Sequence, residues 1–122
     1  PILTRFGWLI LYHGVSLIEG NANNKNKLRY SAGVMILSKD HPQHIHFRSI
    51  HPVLTPESEE ERLGTVSNVV FPTGIDQRND LGLPDRFDIY YGMADSSIGV
   101  ARLNLPEILP KEGVADAPNK KV

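Results

Sequence analysis

Short apolar runs, broken by clusters of glycine, proline, asparagine and aspartate, are the feature that most limits the folds open to this chain. No run keeps helical spacing over three turns, and runs of this length between turn residues are typical of strands. The sequence therefore predicts an all-β fold. The predicted strands are Trp8–His13, Tyr30–Leu37, His44–Ser49, Ser67–Phe71, Phe87–Gly92 and Ile98–Leu103.

Polar, turn-rich segments separate the predicted strands. Residues 19–27, EGNANNKNK, indicate a mobile connector, and residues 76–85 a turn-rich insertion. Residues 56–64, PESEEERLG, favour a solvated acidic loop, with one helical turn as the alternative. Residues 111–122 have little apolar surface to bury and are predicted to form a flexible tail. The folded part is therefore expected to be residues 1–110.

An internal repeat links the two halves of the chain. LILYHGV followed by YSAGVMIL resembles FDIYYGM followed by SIGVARLNL, at an offset of about 66 to 78 residues. Each copy is an aromatic strand that ends in glycine, then a loop, then a strand with a Gly-Val step. This spacing predicts four-stranded propeller blades. Two blades cannot close a ring, so we expect the chain to be part of a larger propeller or to self-associate through its open edges.

Composition excludes several classes of function. Thirteen basic side chains against 14 acidic ones give no reason to expect a nucleic-acid partner. Without a run of about 18 apolar residues, no membrane partner is predicted. The absence of cysteine excludes disulfides and thiolate metal sites, and it suits a reducing compartment, so the expected location is the cytoplasm.

Two clusters of chemically active residue types are predicted to be surface features. His44 and His46 lie two residues apart in HPQHIHF and could chelate zinc from one strand face, but no third ligand is evident. The acidic run ESEEER could supply paired carboxylates for glycoside chemistry, yet contiguous charges in a loop are usually solvated. An exposed strand and a solvated loop are therefore the favoured interpretations.

The motifs resemble those of a known enzyme family. Tyr-His-Gly in GWLILYHGV, Asn-Val-Val-Phe-Pro within residues 30–74, and Tyr-Tyr-Gly-x-Ala-Asp in FDIYYGMADSSIGVARLNL are similar, in order and spacing, to the C-terminal part of glycoside hydrolase family 130. The resemblance runs from Pro1 to about Leu109. It implies part of a five-bladed β-propeller, from a family that includes inverting β-mannoside phosphorylases.

The resemblance also implies roles for individual residues. His13 matches a phosphate ligand, and Asp95 matches a carboxylate that accepts hydrogen bonds from mannosyl hydroxyls. Tyr30 and Phe71 match aromatic positions that line the substrate pocket, while Tyr91 is interpreted as a wall or packing residue. On the residues alone, His13 could instead be a hydrogen-bonded structural histidine, Asp95 a turn residue, and both aromatic side chains core.

The implied activity is an inverting phosphorylase that cleaves β-mannosides with inorganic phosphate to give α-mannose 1-phosphate. The expected partners are a β-mannoside oligosaccharide and phosphate, and no organic cofactor or metal is expected. The family's general acid, an aspartate of an earlier blade, has no counterpart in this chain, so the chain by itself is expected to be inactive.

Two alternatives stay open at this stage. The first is an inverting β-mannosidase of the same family, in which water replaces phosphate. The second is a non-catalytic propeller remnant that binds sugar or only self-associates.

Overall fold

Two antiparallel sheets make up the fold in this computed structural model, which describes residues 1–20 and 27–110. The predicted tail, and most of the predicted mobile connector, lie outside the described residues. The elements are β1 (Ile2–Thr4), β2 (Gly7–Ile18), β3 (Lys27–Leu37), β4 (Ile45–Arg48), α1 (Glu59–Arg62), β5 (Val70–Gln77), a 3₁₀ turn (Asn79–Leu81), β6 (Arg86–Met93) and β7 (Ser97–Asn104).

Strands that follow one another within a sheet also pair with one another. The first sheet has the order β1-β2-β3-β4 and the second the order β5-β6-β7, with every neighbouring pair antiparallel. A four-stranded meander of this kind is one propeller blade, and the second sheet repeats its pattern with three described strands. The prediction of an all-β, blade-like architecture is confirmed.

Each predicted strand has a counterpart, although the bounds differ. Strand β2 continues past His13 to Ile18 because β3 pairs with it along that whole length. Strand β5 begins at Val70, later than predicted, because Asn68 has a left-handed φ of 60° and Val69 bridges to Tyr30 in the first sheet.

The acidic segment contains a helical turn, so the prediction of a loop was wrong there. Ser58 caps α1: its hydroxyl accepts a hydrogen bond from the Glu61 amide, while the Glu61 carboxylate accepts one from the Ser58 amide. This reciprocal capping box satisfies two amides that a helix start leaves unpaired. It also turns Glu61 inward instead of leaving it solvated.

The core lies between the facing sides of the two sheets. Leu9, Val34 and Ile36 come from the first sheet and Phe87, with no exposed surface, comes from the second. Burying an apolar side chain of this size stabilises the fold by about 1.5–3 kcal/mol. This boundary between the sheets, called the seam below, is also bridged by Arg5, whose guanidinium bonds the Asp85 carboxylate at 3.0 and 3.1 Å.

The repeat has a packing basis in both sheets. A β-carbon at Gly33 would lie 2.6 Å from the Tyr12 ring, and one at Gly99 would lie 2.8 Å from the Tyr91 ring. Each Gly-Val step therefore lies beneath a tyrosine of the neighbouring strand. The glycines are offset by 66 residues (33 to 99) and the tyrosines by 79 (12 to 91). Tyr12 thus corresponds to Tyr91, one position later than the motif alignment predicts.

The outer face of the second sheet has an exposed apolar part near the β6–β7 turn, while Arg86, Asp88 and Arg102 lie on the rest of this face. The β6–β7 register places three large side chains on it, and Ile98 is the most exposed of them at 77%. The three are Tyr90, Ile98 and Val100. Self-association through such a face stays a prediction. None of the described helices is long and apolar enough to cross a membrane.

The tyrosine-over-glycine packing predicts different effects at two glycines of one hairpin. Gly33→Ala should lower the free energy of unfolding by about 1–3 kcal/mol, because the new methyl group displaces the Tyr12 ring. Gly14→Ala should leave stability unchanged or raise it by up to about 1 kcal/mol, since no described atom lies within 4 Å of the place its β-carbon would take. Denaturant melts of both variants test this, and equal effects would contradict the packing.

Candidate functional site

His13 lies exposed on β2, on the side of the first sheet that faces the second. Its ring centroid is 4.5 Å from that of Phe71, which lies on the edge strand β5, with the ring planes tilted by 38°. Across residues 1–20 and 27–110, no side chain or backbone group hydrogen-bonds the imidazole. A ligand could therefore use its ring nitrogens as hydrogen-bond donors.

Tyr30 lies on the same face of the first sheet as His13. Val15 pairs with Tyr30 and His13 pairs with Ala32, so the two side chains are diagonal neighbours in the β2–β3 ladder. Tyr30 is half-buried, and its amide donates to the Asn68 carbonyl at 2.9 Å. This hydrogen bond joins the first sheet to the segment that leads into β5 and Phe71.

Asp95 lies in the tight turn between β6 and β7. Ala94 and Asp95 have φ values of 48° and 52°, and the Ser96 amide donates to the Met93 carbonyl at 3.0 Å. Positive φ at both central residues is what a type I′ hairpin turn requires. The Asp95 carboxylate is exposed and accepts no hydrogen bond from the part of the chain that the structure describes. It is a free acceptor on a fixed backbone.

The four predicted residues gather at one end of the seam. His13, Tyr30 and Phe71 line it directly, and the turn of Asp95 reaches it through the Ala94 amide, which donates to the Val69 carbonyl at 3.0 Å. No hydrogen bond, ion pair or ring contact between described residues joins Asp95 to the other three. The arrangement offers a hydrogen-bond donor, two aromatic surfaces and a separate carboxylate.

A buried hydrogen-bonded pair of side chains near this end of the seam was not predicted from the sequence. Glu61 is 7% exposed, and its carboxylate accepts a hydrogen bond from the Tyr91 hydroxyl at 2.7 Å. It also accepts from the amides of Glu57 at 2.7 Å and Ser58 at 3.1 Å. The Ser-x-x-Glu spacing at Ser58 could have indicated the cap, but nothing local indicates Tyr91 as the partner.

The pair shifts the pKa values of both groups. Burial alone would raise the pKa of Glu61, but hydrogen bonds from the Glu57 amide, the Tyr91 hydroxyl and the Ser58 amide outweigh it and lower that pKa. Burial, together with the hydrogen bond to Glu61 and its negative charge, raises the pKa of Tyr91 to about 12. At neutral pH the pair is a carboxylate bound to a protonated phenol.

A cavity of about 190 Å³ lies on the opposite face of the first sheet. Its lining includes Tyr12, Ser31, Gly33 and His51, and the buried Ser31 hydroxyl has no hydrogen-bond partner among the described residues. Because successive strand residues point to opposite faces, this cavity is separate from His13. Among residues 1–20 and 27–110, no three metal-ligating side chains come together.

Comparison with known proteins identifies the relatives of this chain. Residues 1–111 match the family model for glycoside hydrolase family 130, described as β-1,4-mannooligosaccharide phosphorylase. A β-1,2-mannobiose phosphorylase from Thermoanaerobacter sp. (strain X514) is 40% identical over 101 residues, which cover 83% of this chain and 29% of the relative. A β-1,4-mannooligosaccharide phosphorylase from Ruminococcus albus is 35% identical over 109 residues, which cover 89% and 30%.

A solved structure shares the fold. The β-1,2-mannobiose phosphorylase from Listeria innocua, in complex with β-1,2-mannobiose, superposes with a TM-score of 0.67 at 34% identity. The match covers 85% of this chain and 26% of that one. The chain thus spans less than a third of the length of the curated relatives named above.

The Tyr91–Glu61 hydrogen bond predicts an alkaline loss of stability. The pKa of Tyr91 is raised from 10.0 to about 12 on folding. The hydrogen bond therefore contributes fully to the free energy of unfolding below pH 10, and this contribution is lost as the pH rises through 12. Tyr91→Phe should therefore be less stable than the wild type at pH 9, by on the order of 1–2 kcal/mol, with the gap closing towards pH 12.

Tyr90→Phe is the matched control, since Tyr90 is the exposed neighbour on the same strand. Denaturant melts at several pH values from 8 to 12 provide the comparison. The Tyr90→Phe curve should run parallel to that of the wild type. A Tyr91→Phe curve that also ran parallel would show that the hydrogen bond contributes nothing specific.

Proposed function

The chain belongs to glycoside hydrolase family 130, and on that premise we propose that the full-length protein is a phosphorylase that cleaves β-mannosides with inorganic phosphate. The chain forms two blades of the family's five-bladed propeller. The curated relatives named above are mannoside phosphorylases, which favours phosphate over water as the acceptor in this protein.

One observation supports the proposal above the others: two exposed polar groups of opposite character lie at one end of the seam without hydrogen-bond partners among the described residues. The His13 imidazole can donate to an anion, whether neutral or protonated. The Asp95 carboxylate can accept from two neighbouring hydroxyls of a sugar. We assign phosphate to the first and the mannosyl unit to the second, with Phe71 and Tyr30 as apolar walls.

The proposed reaction is a single displacement with inversion. A phosphate oxygen held by His13 attacks the anomeric carbon as the bond from that carbon to the glycosidic oxygen breaks. A general acid outside this chain gives its proton to the departing oxygen, which leaves as a hydroxyl. The products are α-mannose 1-phosphate and the shortened acceptor sugar. Holding phosphate and sugar side by side makes the attack effectively unimolecular, which is the main contribution of these residues.

The reaction itself is tested by incubating the full-length protein with β-mannosides, with and without phosphate. Mannose 1-phosphate that forms only when phosphate is present supports the proposal. Free mannose formed at the same rate without phosphate would identify a β-mannosidase. If neither mannose 1-phosphate nor free mannose formed, a non-catalytic propeller would be favoured.

Substitutions of the two proposed ligand residues should change different kinetic constants. His13→Ala in the full-length protein should raise the KM for phosphate about ten- to a hundredfold, because a charge-assisted hydrogen bond is worth about 1.5–3 kcal/mol. Asp95→Ala should instead lower turnover of the mannoside and leave the KM for phosphate nearly unchanged.

Steady-state kinetics with each substrate varied in turn separate these effects. His46 is the matched control, because it is an exposed histidine on β4, and β3 lies between that strand and β2. His46→Ala should change neither KM. If His13→Ala left the phosphate dependence intact and only lowered the melting temperature, His13 would be a structural residue.

A further inference from the structure

Glu61 is an unusual residue to bury in this fold. It stands in the acidic turn α1, where its neighbours Glu59 and Glu60 are exposed, yet it is 7% exposed itself. A buried carboxylate is costly unless it is hydrogen-bonded, and an apolar side chain could fill the same space. Three donors, from Glu57, Ser58 and Tyr91, satisfy the carboxylate, so a complete polar network is present at this point.

The network connects α1 to the strand that carries the Asp95 turn. Tyr91, which donates to Glu61 at 2.7 Å, lies on β6 four residues before Asp95. The Glu61 backbone carbonyl in turn accepts from the Val69 amide at 3.0 Å. Glu61 therefore holds both β6 and the segment that leads into β5.

The segment after α1, residues 62–69, hydrogen-bonds to the Asp95 turn itself, and this set of hydrogen bonds is called the clasp below. The Val66 amide donates to the Ala94 carbonyl at 3.1 Å, and the Ala94 amide donates to the Val69 carbonyl at 3.0 Å. The Thr65 amide donates to the Ser96 hydroxyl at 2.9 Å. These bonds hold the turn on both sides of Asp95.

The closeness of this contact is visible at Gly64. A β-carbon there would lie 2.7 Å from the Ala94 β-carbon and would also meet the Ala94 carbonyl oxygen. Ala94 and Asp95 both keep positive φ values, which are unfavourable for alanine but common for aspartate in a tight turn. The clasp therefore fixes the direction in which the Asp95 side chain leaves the turn.

We propose that Glu61 is a positioning residue, which acts through Tyr91 and the segment of residues 62–69 to fix the Asp95 carboxylate where it meets the sugar. This inference rests on the proposed function of Asp95. Because the Glu61 carboxylate is buried and already accepts from three donors, we do not expect it to contact the sugar. The Asp95 carboxylate accepts no hydrogen bond from the described residues. Without Glu61, we expect the turn to sample other orientations while the fold persists.

The test uses Glu61→Gln and Tyr91→Phe in the full-length protein. Glutamine keeps an acceptor oxygen on only one side, so it cannot accept both from Tyr91 and from the two backbone amides. Tyr91→Phe removes only the hydroxyl and leaves the ring against Gly99. Each should lower kcat/KM for the mannoside about fivefold to fiftyfold and leave the KM for phosphate within twofold. Glu60→Gln, an exposed neighbour on α1, should change neither value.

A double variant separates positioning from general stability. Adding Glu61→Gln to Asp95→Ala should cause less than a twofold further loss in kcat/KM, because the residue that Glu61 positions is already gone. Fully multiplicative losses would overturn the proposal, as would loss of kcat in proportion to the folded fraction with both KM values unchanged. If Asp95→Ala alone had no effect, the proposed function of Asp95 would fail instead. If Glu61→Gln does not fold, the same comparison is made with Tyr91→Phe and Asp95→Ala.

Discussion

The burial of Phe87 between the two sheets is the interaction on which the rest of the molecule depends. Its side chain has no exposed surface and packs with Leu9, Val34 and Ile36 of the facing sheet. A blade is apolar on both faces and gains most of its stability from its neighbour. Because this seam fixes β5 against β2, it also places the Phe71 ring against His13.

The site is built from exposed groups on supports that are mostly buried. His13 and Asp95 are exposed, whereas Ala32, which pairs with His13, and Val69 and Ala94 at the Asp95 turn are buried. Thr65 and Val66, which also bond to that turn, are exposed. The exposed residues His13 and Asp95 therefore contribute mainly to the free energy of ligand binding, and the supporting residues contribute mainly to the free energy of folding. Changing an exposed group alters what binds, while changing a support alters both stability and the place where the exposed group points.

Sequence reasoning located six of the seven described strands, all but β1 (Ile2–Thr4), because their signals are local. The aromatic runs that end in glycine located β2 and β6, and the Gly-Val steps located β3 and β7. The start of β5 was missed because the left-handed backbone at Asn68 is held by a hydrogen bond to Tyr30 in another sheet. No local pattern shows such a contact.

Some residues of the candidate site could likewise be predicted from the sequence, and others could not. His13, Tyr30, Phe71 and Asp95 stand in recognisable motifs, and the fold places them at one end of the seam, while their ligand roles stay predictions. The Glu61–Tyr91 hydrogen bond could not be predicted, because its partners are 30 residues apart and belong to different elements. The acidic run around Glu61 suggested solvation, and only the packing shows which of its carboxylates is buried.

A crystal structure of the full-length protein with mannose 1-phosphate bound tests most directly whether this end of the seam is one site for phosphate and sugar. That compound carries both groups on one molecule, so a single complex locates both. We expect a phosphate oxygen within hydrogen-bond distance of the His13 imidazole, and mannosyl hydroxyls within hydrogen-bond distance of the Asp95 carboxylate. Mannose 1-phosphate bound elsewhere, with His13 and Asp95 both left in contact with solvent only, would contradict it.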